Sequence, residues 1–395
     1  MKSEDLSLYE YRPDELEDVL PFRNAIFGHV SQEHWHAMNC TAIVARQQGN
    51  LVGFVPLQYR DQLLTGDLAI PVAYENAVGV AEGMRGRGIG SRMMDAGAGF
   101  IQDRVDALFV VRGDERSEGY RFYRKSGHSD LAYARVYERT EDNPGKSDSH
   151  GFVSHSRHQW CAREPQLLAL YAKHYGSHGG GQQRKQGYWK MVLDGHVYRD
   201  RICWLVTYAP HGQQIAGYLV AANGLADATD DVHVYEVVGD DEQISTGLIK
   251  YAQRLATSRR VVFPFTSIEN PICPLLRKLD FLERQTTPHI MARMLRCDRV
   301  FRSLAQESDL LNTLELKICT PHRTLTANQP QESRYKVLLE TKESSLARLF
   351  CRRLDLQAAV EMGIIRWNCH DSGISRELRR LFGYERWIQW FTDYV

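Results

Sequence analysis

Apolar positions in the first 140 residues switch between two periods. Leu6 to Tyr11 changes face at every residue, the mark of a half-buried strand. Leu16, Val19, Leu20 and Ile26 recur at helical spacing, which predicts a helix from Pro13 to Phe27 with the proline in its first turn. Ala42 to Arg46 and Leu51 to Tyr59 predict a hairpin turning at Gln48-Gly49-Asn50. Glu75 to Val80 predicts a further strand. It leads through a glycine-rich turn into a helix starting near Ser91, with Ile89, Met93, Ala96 and Phe100 on one face. A strand at Ala107 to Val111 and a short helix stopped by Gly127 complete the region.

Glu141 to Ser156 is polar and holds Asn143-Pro144-Gly145, a linker signature. A second mixed region runs from Arg157 to Thr287. Strands are expected at Cys203 to Tyr208, Gln214 to Val220 and Val232 to Val238, and a helix at Ile244 to Ala256. Gly176 to Gly187 reads as a mobile loop, too polar and glycine-rich to pack. From Arg296 the pattern gives strands at Leu314 to Cys319 and Tyr335 to Glu340. Helices are expected at Ser344 to Leu354 and Asp355 to Gly363, then an aromatic-rich helix within Ser375 to Tyr394. The expectation is a mixed α/β chain of three packed units: 1–145, 155–295 and 296–395.

Composition narrows the function. A chain of 395 residues that is 43% hydrophobic can fill more than one core. Lys+Arg and Asp+Glu both number 49, so no basic excess favours a nucleic-acid partner. No apolar run reaches the roughly 18–20 residues of a membrane span, and MKSEDLSLYEY lacks a signal peptide's apolar core. The eight cysteines are scattered without a C-x-x-C pair, as reduced thiols of a cytoplasmic protein would be. His150, His155 and His158 form the densest histidine group, with no cysteine at ligand spacing. They read as loop histidines, and no metal is expected.

The chemistry lies in Val78-Gly79-Val80 followed by Arg85-Gly86-Arg87-Gly88-Ile89-Gly90-Ser91. Glycines allow close backbone approach and left-handed dihedrals. Successive N–H groups at a helix start make a nest for an anion, and Arg85 and Arg87 add positive charge. The pattern points to a phosphate or pyrophosphate. The spacing is not that of a Rossmann fingerprint, and the Gly-Lys-Ser/Thr of a Walker loop is absent.

This run resembles the acetyl-CoA signature of the GNAT superfamily of N-acetyltransferases, whose R-x-x-G-x-G loop holds the coenzyme's pyrophosphate. Its preceding strand splays from a neighbour to pair with the pantetheine arm. Ser117-Glu118-Gly119-Tyr120-Arg121-Phe122-Tyr123-Arg124-Lys125-Ser126-Gly127-His128 resembles the family's fYxxxGF helix end. That resemblance implies Tyr123 as the acid protonating the departing thiolate, and Ser117 and Glu118 as cofactor contacts. The wider layout resembles the Eis (enhanced intracellular survival) branch. There a GNAT domain, a degenerate second GNAT domain and a sterol-carrier-protein-like domain follow one another. The branch implies a terminal carboxylate, here Val395 in place of the usual aromatic, as general base. It also implies a homo-oligomer, often a hexamer.

Acetyl transfer needs a base for the ammonium, donors for the oxyanion and an acid for the thiolate. The N–H groups at the end of the Glu75–Val80 strand suit the oxyanion. Tyr120 competes with Tyr123 as acid, and Glu75 and Glu82 are alternative bases. Glu75 alternatively reads as a solvent-facing strand carboxylate. Trp35, between His34 and His36, either lines an amine pocket or packs in a core. The acceptor is an amine of a small molecule or peptide. The competing reading is a regulatory module binding CoA or an apolar ligand.

Overall fold

In the computed structural model of the chain, residues 6–27, 30–37, 40–112, 114–140, 151–194, 202–210, 214–223, 231–256 and 260–394 are described. Contacts divide the chain into two compact units. The first holds Met1–Leu64, Leu68–Ala132 and Pro288–Glu385; the second holds Thr65–Asp67, Tyr133–Thr287 and Arg386–Val395.

The first unit opens with β1 (Leu6–Glu10), α1 (Leu16–Phe27), α2 (Gln32–Ala37), β2 (Cys40–Gln47), β3 (Asn50–Leu63), β4 (Ala69–Glu75), β5 (Gly79–Val80), α3 (Ile89–Ile101), β6 (Ala107–Val111) and α4 (Glu118–Lys125). β1 to β4 pair antiparallel in sequence order. Gln48 and Gly49 both take positive φ, 49° and 81°, as the tight turn between β2 and β3 requires. Strand alternation then separates two cores. Ala42 and Val44 face Leu16, Val19, Leu20 and Trp35, while Ile43 and Ala45 face Met93, Met94 and Ala98 of α3. The α3 face lies very near the sheet: a Cβ on Gly97 would stand 2.9 Å from Ile43 Cγ1.

The second unit is a mixed sheet built from β7 (Ser129–Thr140), β8 (Phe152–His155), β9 (Cys203–Tyr208), β10 (Gly217–Asn223), β11 (Val232–Gly239), β12 (Arg260–Ser267) and β13 (Leu282–Met294). Its helices are α5 (Arg157–Tyr175), α6 (Tyr188–Asp194), α7 (Glu242–Leu255) and α8 (Ile272–Lys278). β11 and β12 are parallel, and the other pairings β7–β12, β10–β11, β9–β10 and β8–β9 are antiparallel. Residues 129–132 of β7 and 288–294 of β13 belong to the first unit. That unit ends with α9 (Cys297–Ala305), β14 (Leu314–Cys319), β15 (Thr324–Asn328), β16 (Tyr335–Thr341), α10 (Glu343–Phe350), α11 (Leu356–Glu361), β17 (Ile365–Trp367) and α12 (Ser372–Leu381). Its four strands run β15-β14-β16-β17. No described helix is long and apolar enough to cross a membrane.

Three expectations from pattern fail here, each for a packing reason. Within Gly176–Gly187, which composition marks as too polar and glycine-rich to pack, Gly179–Gln182 are buried. The Gly179 N–H donates to the Arg386 carbonyl, the Ile388 N–H donates back to Gly179, and a Cβ on Gly180 would come within 2.8 Å of Trp387. Its glycines make room for the chain's tail, so they signal contact and not disorder. The aromatic tail is not helical: α12 ends at Leu381, and Trp387–Trp390 insert as an extended stretch closed by a 3-10 turn, Phe391–Tyr394. Phe391 stacks on Tyr235 at 4.6 Å and on Phe265 at 5.7 Å. Of the proposed linker, Phe152–His155 is a strand, and His155 Nε2 lies 2.7 Å from Thr207 Oγ1. Residues 141–150, His150 included, lie outside the described residues.

Candidate acetyl-CoA site

The expected single strand Glu75–Val80 is two pieces. β4 ends at Glu75, and β5 resumes at Gly79, both pairing with β3. β6 runs parallel to β4 only as far as the pair Tyr74↔Phe109. Beyond it the chain keeps to β3 and leaves β6, so the sheet opens between Gly79–Val80 and the end of β6. A cavity of about 730 Å³ occupies this side of the unit, within the range of small-molecule sites.

The cavity wall brings together Val78, Gly79, Val80, Arg85, Gly86, Gly88, Ile89, Gly90, Ser91, Glu118 and Tyr123. Arg87 lies exposed in the same loop. Ser117 is the N-cap of α4, its hydroxyl accepting from the Tyr120 N–H at 3.1 Å. Val395 lies outside the described residues.

Gly86 and Gly88 both take φ of 76°, a left-handed conformation that favours glycine. Gly88 is the N-cap of α3, and no side chain caps that helix. Its first-turn N–H groups therefore have no intrahelical acceptor and face an anion's position. The Arg85 Nε donates to the Val80 carbonyl at 3.3 Å, holding the guanidinium beside the loop. The wall adds Arg112, Arg121 and Lys125, giving four cations against the single carboxylate of Glu118. Sequence reasoning missed these three. Arg121 and Lys125 stand one helical turn apart on α4, a spacing that could have marked a basic stripe; Arg112 directly follows β6.

Tyr123 is 1% exposed and sits in this wall. The Arg112 guanidinium carbon lies 5.4 Å from its ring centre. Burial raises the Tyr123 pKa. The competing Tyr120 is engaged elsewhere: its hydroxyl donates to Asp130 Oδ2 at 2.9 Å, and it is not on the cavity wall. Glu75 is not the solvent-facing carboxylate that strand alternation allows. It is 2% exposed at the end of β4, its Oε2 3.5 Å from His128 Nε2, and burial raises its carboxyl well above the usual range. Glu82 is exposed. Trp35 is a core residue, edge-on to Tyr11 at 5.9 Å and 5.7 Å from Phe54. No cluster of metal-ligating side chains occurs among the described residues.

Residues 6–128 match the model of the "Acetyltransferase (GNAT) family". No curated protein matches the chain in sequence. Solved structures match it over nearly its whole length at low identity. A GCN5-related N-acetyltransferase from Anabaena variabilis is 12% identical with a TM-score of 0.70, covering 98% of this chain and 100% of its own. A probable N-acyltransferase from Enterococcus faecalis is 13% identical with a TM-score of 0.71, covering 97% and 98%. Eis1 from Mycobacterium abscessus is 14% identical with a TM-score of 0.60, covering 96% and 97%. Residues 6–128 thus carry the match to the acetyltransferase (GNAT) family, and the chain as a whole shares the fold of these proteins.

Proposed function

We propose that this chain is an N-acetyltransferase that moves an acetyl group from acetyl-CoA to a primary amine of a small molecule or peptide, by direct attack in a ternary complex. The supporting observation is the cavity at the opening of β4 and β6, where left-handed Gly86 and Gly88, the start of α3 and four cations face one space. Such a wall suits a ligand with several phosphates and a long thin arm. The β5 backbone beside it suits the pantetheine arm.

In this reading the loop from Arg85 to Ser91 binds the diphosphate. Tyr123 gives its proton to the thiolate as the tetrahedral adduct collapses. A neutral phenol suits that role, and burial keeps Tyr123 protonated. The general base is the Val395 carboxylate, carried over from the Eis-like layout, with Glu75 as the alternative. The same layout supplies the rest of the proposal. Residues 155–295 form a degenerate GNAT-like domain, residues 296–395 a sterol-carrier-protein-like domain, and the protein is a homo-oligomer; its scattered cysteines, without a C-x-x-C pair, suit the cytoplasm.

The test is thiol release from acetyl-CoA against a panel of polyamines, aminoglycosides and lysine peptides. Acceptor-dependent release supports the enzyme. CoA binding without release under any amine would instead make the chain a CoA-binding module.

A further inference from the structure

Two buried side chains next to Tyr123 have no part in the acetyl-transfer scheme when the Val395 carboxylate is the base. Glu75 ends β4 and His128 immediately precedes β7; their side chains are 1% and 0% exposed. The Glu75 Oε2 and His128 Nε2 atoms are 3.5 Å apart, and neither carboxyl oxygen of Glu75 has a hydrogen-bond partner. The His128 ring stands edge-on to the Tyr123 ring at 5.3 Å, and the His128 N–H donates to the Tyr123 carbonyl at 3.0 Å. The Glu75 carboxyl thus adjoins the His128 imidazole, and the imidazole packs on the Tyr123 ring. Buried polar groups without partners are costly, so a buried carboxyl without one beside a buried imidazole needs a reason. The family helix end that this segment resembles has phenylalanine where this chain has His128, and phenylalanine would fill the site without that cost.

The inference rests on the reading of Tyr123 as the acid. We propose that Glu75 and His128 are positioning residues that hold one proton between them and return it to the Tyr123 oxygen once that residue has protonated the leaving thiolate. As the adduct collapses, the C–S bond breaks with its electron pair on sulfur. The Tyr123 O–H bond breaks and an S–H bond forms, leaving a phenolate. The Glu75 carboxyl O–H then breaks, and the phenol O–H re-forms through the His128 imidazole. The attacking ammonium gives up two protons in all; one restores Glu75 and the other leaves to solvent. Burial keeps Glu75 protonated and His128 neutral, the latter pushed down to about 3, which matches a single proton on the pair. The charged neighbours are Arg112 beside the Tyr123 ring and Arg293 on β13, whose charge acts on both members. Arg293 is itself bound to Asp95 Oδ1 at 2.9 Å and the Ser126 carbonyl at 3.2 Å. The gap of 3.5 Å is long for proton transfer and is of the kind that tightens when substrate closes a site.

The test compares the full-length wild type with His128→Phe and Glu75→Gln. It measures kcat and KM for acetyl-CoA by thiol release, the kcat–pH profile, the Kd for CoA and the Tm. The expected result is a kcat at least tenfold lower in both variants, with KM and Kd within twofold. The alkaline fall of kcat in the wild type, as the pair loses its proton, should be missing from the profile of Glu75→Gln. The Tm of His128→Phe should be equal or higher, because a buried imidazole is gone. A merely structural role would lower Tm and CoA affinity together with kcat, and that pattern overturns the inference. So does undiminished kcat in His128→Phe, which leaves the acetyl-transfer reading intact. No thiol release from the wild type under any amine removes that reading, and this inference with it.

Discussion

Replacing Arg184 by methionine is the sharpest test of how the chain's tail is held. Arg184 sits at 2% side-chain exposure in the second unit. Its Nη1 and Nη2 donate to the Glu236 carboxylate at 2.7 and 2.9 Å, and Nη2 also donates to Asp393 Oδ1 at 3.0 Å. Its guanidinium carbon lies 3.4 Å from the centre of the Tyr171 ring. Thr392 and Tyr218 donate to Glu236 from two further elements. One cation thus neutralises two buried carboxylates, one on β11 and one in the tail. Methionine has similar volume but leaves both carboxylates uncompensated. Breaking such a set costs about 3–5 kcal/mol. At about 2–4 °C per kcal/mol for a unit of this size, Tm should fall by roughly 6–20 °C.

The pH dependence follows from the same groups. Burial raises the Asp393 carboxyl even with Arg184 present. A carboxyl raised in the folded state contributes stability below its unfolded pKa and loses it as pH rises through its folded value. Removing the cation deepens that effect, so the deficit of Arg184→Met should be largest near pH 7–8 and should shrink toward pH 4. Urea unfolding of the full chain at pH 4.5 and 7.5, with tryptophan fluorescence as probe, measures both points. The triple variant Arg184→Met, Glu236→Gln, Asp393→Asn should recover much of the loss, since a fully neutral replacement leaves no buried charge. A deficit below about 1 kcal/mol for Arg184→Met alone, against the 3–5 expected of a broken buried pair, refutes the reasoning.

Further predictions concern the cavity and its wall. Tyr123→Phe should lower kcat by about 10²-fold, the ordinary scale of a lost acid, while the Kd for CoA stays within twofold; single-turnover kinetics and calorimetry read the two separately. Gly88→Val places a β-branched side chain at φ 76° and should weaken CoA binding at least tenfold, whereas the same change at exposed Gly99 in α3 should leave the Kd unaltered. His128, whose pKa falls to about 3 on folding, contributes stability above its unfolded value that is lost on acidification. His128→Phe should therefore gain on the wild type by about 1.4 kcal/mol per pH unit between pH 6.5 and 4.5, read from urea unfolding at several pH values.

The sequence carries the local elements of this fold better than its long-range ones. The β2–β3 hairpin, strand Ala107–Val111 and the Arg85–Ser91 loop are all legible, because turn chemistry and period act within a few residues. The break between β4 and β5 is not. It depends on which neighbour each piece keeps: β3 for both, β6 for β4 alone. The burial of Glu75 escapes alternation for the same reason, since it depends on a distant neighbour, His128, packing over the end of the strand. Gly176–Gly187 reads as a mobile loop because composition cannot show that Trp387 and Ile388, two hundred residues on, fill the space its glycines leave. The phosphate loop was readable because glycine and arginine are demanded by backbone geometry and charge. The basic stripe of Arg121 and Lys125 was hidden because cations on a helix surface are common.

The account turns on what the space beside Gly86 and Gly88 holds. Determining the structure of the full-length protein with acetyl-CoA bound tests this most directly. The account predicts the diphosphate on the N–H groups that open α3, the pantetheine arm along Gly79–Val80, and the thioester sulfur within reach of the Tyr123 hydroxyl. Acetyl-CoA bound away from this loop, or Tyr123 turned from the sulfur, would contradict it.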